Sequence, residues 1–150
     1  MRCNSKLKPF AAILVSGVFL LLTVCGLPIL TDSYEPNNSF SQAAAISPGT
    51  IKATIEPDND EDYYKLSLSS ADSFQLNYGL EVPSVITAEV SLFSSSQSLM
   101  DYVRADTAGQ SLAGHINISS GDYYVRIRSV DFSSSDSDYT LSISVLPLGS

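Results

Sequence analysis

Tyr123-Tyr124-Val125-Arg126-Ile127-Arg128-Ser129 alternates strictly, with Tyr123, Val125 and Ile127 on one side and Tyr124, Arg126 and Arg128 on the other. A period of two belongs to a β-strand with one face in a core and one toward solvent. The same rhythm recurs in both directions from this segment. Upstream, Tyr63 to Leu68 places Tyr64, Leu66 and Leu68 together, and Thr50 to Ile55 alternates Ile51, Ala53 and Ile55. Phe74, Leu76 and Tyr78 share a face, as do Ile86, Ala88, Val90 and Leu92 within Val85 to Phe93. Leu99 to Arg104 is a less regular strand, Leu112 to Ile118 a further one, and Tyr139 to Val145 the last. Ser94 to Gln97 and Ser119 to Asp122 carry turn residues. Ala105 to Gln110 and Phe132 to Asp138 read as loops, and Gln42 to Ile46 as the one helical turn. Many short strands at regular spacing predict an all-β, antiparallel sandwich.

The front of the chain is of another kind. Arg2, Lys6 and Lys8 precede an uncharged apolar run from Phe10 to Val24, the pattern of an export signal. Leu22-Thr23-Val24-Cys25 resembles a bacterial lipobox, which would make Cys25 the lipidated residue. Ordinary cleavage with Val24 and Gly26 at the −3 and −1 positions is the second outcome, and an uncut span from Phe10 to Leu30 the third. Residues 1–25 are therefore expected to be a signal or anchor, 26–33 a short linker and 34–147 the folded domain. All three outcomes place that domain outside the cytoplasm, at the cell envelope or secreted.

Three of the eight Lys and Arg lie in the front; the other five face sixteen Asp and Glu, a net charge of −11. Such a surface repels phosphate backbones and argues against nucleic acid as a partner. Both cysteines, Cys3 and Cys25, also belong to the front, so the domain has no disulfide or zinc-thiolate site. His115 is the only histidine and stands in a strand, with no Gly-x-Ser-x-Gly elbow in the chain. No enzyme is expected.

Four motifs in order carry a family resemblance. They are Tyr34-Glu35-Pro36-Asn37-Asn38-Ser39, Asp60-Glu61-Asp62-Tyr63-Tyr64-Lys65-Leu66, Gly121-Asp122-Tyr123-Tyr124-Val125-Arg126-Ile127 and Tyr139-Thr140-Leu141-Ser142-Ile143. Together they resemble the bacterial pre-peptidase C-terminal domain, here with no peptidase in front. The resemblance implies a jelly-roll-like β-sandwich. It also implies that the Glu/Asn segment and the Asp-x-Asp turn share a calcium ion, with Glu35, Asn37, Asn38, Asp60 and Asp62 as ligands. Asn59 stands where the family often has glycine.

The residues themselves leave two readings of the acidic turn. Four acids among Asp58 to Asp62 repel one another unless an oxygen-seeking cation neutralises them. Alternatively they form a solvated hairpin tip, since Asp and Asn favour turns. Tyr124, Arg126 and Arg128 likewise make either a ligand-binding stripe or ordinary cross-strand partners for acids, the second being favoured. The expected function is an exported binding module engaging an envelope or extracellular protein or polysaccharide. The alternative is an accessory, chaperone-like domain for a separate protease.

Overall fold

The computed structural model describes residues 32–69 and 73–149. These residues form nine strands and no helix. In chain order they are β1 (Ala44–Ile46), β2 (Gly49–Ile55), β3 (Glu61–Leu68), β4 (Phe74–Glu81), β5 (Ala88–Ser94), β6 (Leu99–Arg104), β7 (Leu112–Ile118), β8 (Gly121–Ser129) and β9 (Ser135–Pro147). One sheet has the order β1-β3-β8-β5-β6 and the other β2-β9-β4-β7. Every pairing is antiparallel except β1 with β3. The expected all-β sandwich is present.

The alternating residues meet between the sheets. Tyr64 and Leu66 of β3, Val90 and Leu92 of β5, and Val125 and Ile127 of β8 face Leu76 and Leu80 of β4 and Tyr139 and Leu141 of β9. Burying a side chain of this size contributes roughly 1.5–3 kcal/mol. At one edge Tyr78 of β4 lies over Gly114, its register partner on β7. A Cβ on Gly114 would stand 2.3 Å from Tyr78 Oη, so only glycine leaves room for the ring. The hydroxyl then donates to Asp101 Oδ2 of β6, 2.7 Å away in the other sheet.

Three local expectations are corrected. Gln42 to Ile46 is not helical: Gln42 N closes a turn on Ser39 O at 3.0 Å, and Ala44–Ile46 pairs in parallel with Tyr64 to Leu66. Three alanines in a row satisfy helical propensity, but pairing with β3 overrides it. Val85 to Thr87 precede β5 in a turn, because Ile86 N bonds back to Pro83 O at 3.0 Å. Finally β9 begins at Ser135, inside the stretch expected to be loop, because Ile55 pairs with Ser135 beyond a register shift.

Candidate functional site

The segment before β1 crosses the end of the sandwich and is bonded to it. Asp32 Oδ2 accepts from Thr54 N at 2.9 Å, and Tyr63 N donates to Asn37 O at 2.8 Å. Tyr34 meets the Tyr64 ring edge-on at 5.5 Å. Glu35 Oε2 accepts from Asn37 N at 3.1 Å and Asn38 Nδ2 at 3.2 Å, bracing its carboxylate. This lays residues 35–38 beside the turn leading into β3. There Asp60 N donates to Pro57 O at 3.0 Å, and Asn59 takes φ 71°. Asparagine tolerates that left-handed conformation, so the turn closes without glycine.

Extended backbone then sends alternate side chains opposite ways. Asp60 and Asp62 point to the N-terminal segment, and Glu61 to the outer face of the sheet. One carboxylate oxygen from each of Glu35, Asp60 and Asp62 lies within 4.8 Å of the others. Asp60 is 6% exposed, while Asp62 and Asn37 are fully buried. Asp62 Oδ2 accepts the Tyr139 hydroxyl at 2.5 Å, but Asp62 Oδ1 has no partner. The Asn37 amide lies close enough to favour the charged form of Asp62, yet neither its oxygen nor its nitrogen has a hydrogen bond of acceptable geometry.

Such burial makes the carboxylates hard to ionise. Loss of solvation, with the neighbouring charges of Glu35 and Asp32 adding to it, pushes Asp60 up to about 7. Loss of solvation and then the charge of Asp60 push Asp62 up to about 8, against the pull of the Tyr139 hydrogen bond. The solvated-tip reading therefore describes only Asp58 and Asn59, which are exposed. Asp58 Oδ1 accepts from Ser134 Oγ at 2.6 Å. Three converging carboxylates and a buried free amide are an arrangement able to hold a metal ion. Asp32 had no place in the sequence-based set, though it is the first acid after the apolar front and its charge reaches both aspartates.

Tyr124, Arg126 and Arg128 do share the outer face of β8, but the guanidinium groups are engaged. Arg126 Nη2 donates to Glu89 Oε1 at 2.9 Å, and Arg128 donates to both Glu89 oxygens at 3.1 and 3.2 Å. Glu61 lies 3.8 Å from each arginine. Burial alone would raise Glu89; the Arg128 and Ser91 hydrogen bonds and the two arginine charges outweigh it and hold its carboxyl below the usual range. Cross-strand pairing, the favoured expectation, is what these arginines make. Tyr124 packs against Phe40, whose ring also meets Tyr63 and Phe93 edge-on, with centroids 4.7–5.3 Å away. That Phe40 lid is invisible in the alternation, because Phe40 belongs to no strand.

His115 is exposed on β7 opposite Asn77 and, among the described residues, has no hydrogen-bond or ion-pair partner. It is a solvent-facing strand residue. Cys25 and the apolar front expected to be an export signal lie outside the described residues.

No family profile matches the chain, and no curated protein does. Among solved structures it is similar to the pre-peptidase C-terminal domain of a Bacillus anthracis collagenase. That likeness has 22% identity and a TM-score of 0.57, over 68% of this chain and 94% of that one. A periplasmic inhibitor of g-type lysozyme from Aeromonas hydrophila matches at 16% identity and TM-score 0.43, over 69% and 96%. A carbohydrate-binding module of a Cellvibrio mixtus lichenase matches at 11% and 0.34, over 68% and 88%. The likeness to the collagenase domain gives the described residues, with sheets ordered β1-β3-β8-β5-β6 and β2-β9-β4-β7, the fold of a pre-peptidase C-terminal domain.

Proposed function

We propose that the chain is an exported, non-catalytic binding module whose N-terminal segment is fastened to the sandwich by calcium. The observation that carries the ion is the set of buried polar atoms without partners, Asp62 Oδ1 and both amide atoms of Asn37, beside converging carboxylates of Glu35, Asp60 and Asp62. An unpaired buried polar atom costs on the order of 1–3 kcal/mol, and a buried ionised carboxylate more. One divalent cation answers the buried charge and gives Asp62 Oδ1 and the Asn37 oxygen a partner, while the Asn37 nitrogen, a donor, gains none from it. Glu35, Asp60, Asp62 and the Asn37 oxygen would hold it, with Asn38 bracing Glu35. All are oxygen donors, which suit calcium rather than zinc or copper. Bound there, the ion supplies positive charge and joins residues 35–37 to the turn before β3.

Export rests on the positive front and the apolar run, with Cys25 as the lipidated residue and the envelope as the destination. Changing Cys25 to Ser is then expected to remove lipid labelling and release the protein from membranes. The binding role rests on a closed sandwich whose one histidine stands exposed on β7 with no hydrogen-bond or ion-pair partner among the described residues; the partner class is an extracellular protein or polysaccharide.

The test is the melting temperature of the domain in calcium and in chelator at low salt. An ion bound only to the folded state stabilises it by about 2.7 kcal/mol at roughly a hundredfold excess over its dissociation constant. A rise on the order of 10 °C is expected. Identical curves would remove calcium from the proposal.

A further inference from the structure

The outer face of the five-stranded sheet carries a row of alternating charge. Register aligns Glu61 of β3 with Arg128 of β8, Arg128 with Glu89 of β5, and Glu89 with Arg104 of β6. Each of the first three has an ion pair with a neighbour in the row. Arg104 comes last, on the edge strand, where no further strand can supply an acid. Glu89 already serves Arg126 and Arg128, and among the described residues Arg104 has no ion pair. On a chain with a net charge of −8, this corner collects three of the eight cations.

Two residues from Arg104, on the same face, stands Tyr102, 56% exposed. Between them and β8 the surface sinks into a hollow of about 390 Å³, floored by Glu89, Ser91 and Phe93. Phe93 packs there against the Phe40 ring at 5.2 Å and the Arg126 guanidinium at 5.4 Å.

We propose that Tyr102 and Arg104 form a binding site for a carboxylate-bearing polysaccharide, a polyuronate. This deepens the binding-module reading and rests on it. A guanidinium lacking its acid is matched by a carboxylate, with which it makes paired, charge-assisted hydrogen bonds. An exposed tyrosine ring is matched by a flat apolar face. Residues two apart on a strand are about 7 Å apart, within the span of one sugar unit. A uronic acid offers both features, a carboxylate and the C–H face of its ring. An aspartate or glutamate side chain offers only the first, and a neutral sugar only the second.

The experiment is affinity electrophoresis and titration calorimetry of the exported domain with polygalacturonate in chelator, so that calcium cannot bridge polymer and protein. Methyl-esterified polygalacturonate, dextran and polyglutamate are the comparisons. Polygalacturonate alone should retard the domain, and less so as sodium chloride rises. Arg104→Gln and Tyr102→Ala should each weaken binding about tenfold or more with the melting temperature unchanged. Three outcomes would overturn the site: no binding, binding that survives both changes together, or equal binding of polyglutamate, which would make an acidic peptide the occupant. The calcium reading fails separately, since neither variant touches Glu35, Asp60 or Asp62 and the melting response to calcium is read on the same proteins without polymer, in calcium and in chelator.

Discussion

Tyr139 on β9 donates its hydroxyl hydrogen to Asp62 on β3 across 2.5 Å, joining the two sheets at the acidic site. A phenol has one proton, so Tyr64, whose oxygen lies 2.5 Å from that of Tyr139, must donate in turn to Tyr139. Burial first, and then the Asp62 charge, hold the Tyr139 phenol well above its ordinary value, so it keeps that proton at any working pH.

Tyr139→Phe should therefore do two things. It leaves Tyr64 Oη and Asp62 Oδ2 without partners inside the protein, for a loss of about 1–3 kcal/mol in urea unfolding. It also removes a hydrogen bond that favours ionised Asp62, so calcium titrations near pH 7 should show weaker binding than in the parent.

The two aspartates set a pH dependence of unusual sign. Their carboxyls sit at about 7 and 8 when folded and near 3.8 in the free side chain, so the folded protein holds more protons across that interval. Without calcium, stability from these groups is full below about pH 4 and is lost as pH rises toward 8. Melting temperatures in chelator should fall between pH 5 and 8. With calcium present the fall should shrink or reverse, because the ion binds the ionised forms. A flat profile in chelator would show that the two groups are ionised in the folded protein as readily as in the unfolded one.

Asp60→Asn with Asp62→Asn should erase both responses. The amides keep an acceptor for Glu56 N and for the Tyr139 hydroxyl while losing the charge. The variant should fold, melt at one temperature with or without calcium, and lose most of the slope between pH 5 and 8.

Gly114→Ala should destabilise by about 1–3 kcal/mol, the usual cost of forcing an extra carbon into a filled space. The new Cβ meets the Tyr78 ring and must displace the hydroxyl that reaches Asp101. Adding Tyr78→Leu should cost less in the Gly114→Ala background than in the parent, and a double-mutant cycle in urea would measure the difference.

The alternation of Tyr123, Val125 and Ile127 was enough to read a half-buried strand, and repetition of that pattern was enough to read two packed sheets. Pairing was not legible: nothing in Ala44 to Ile46 says that it lies parallel to β3, since a short alanine run has no face to declare. At the site, Glu35 and the Asp60–Asp62 turn could be matched by motif, but their burial could not. A run of four acids in five residues reads as either a cation site or a solvated tip, and nothing local says that Tyr139, seventy-seven positions after Asp62, caps that last acid. Asp32 was passed over for a related reason. Its role depends on Thr54, twenty-two positions away, and no local pattern links the two. Arg126 and Arg128 show the reverse case: alternation placed them on one face with a neighbouring acid expected across the sheet, and Glu89 on the adjacent strand is that acid.

The route by which the chain enters the sandwich also decides how it yields to pulling. Tension arriving from the residues before Asp32 reaches the Asp32–Thr54 bonds first, then residues 35–37 at the acidic turn, and only afterwards the three-residue β1. These attachments lie in series, so they open one at a time from the front, and the sheets behind them stay unloaded until the last has gone. An ion spanning Glu35 and Asp62 would sit in the middle of that series as its mechanical latch, making calcium the setting for how much force the segment bears before the domain begins to peel.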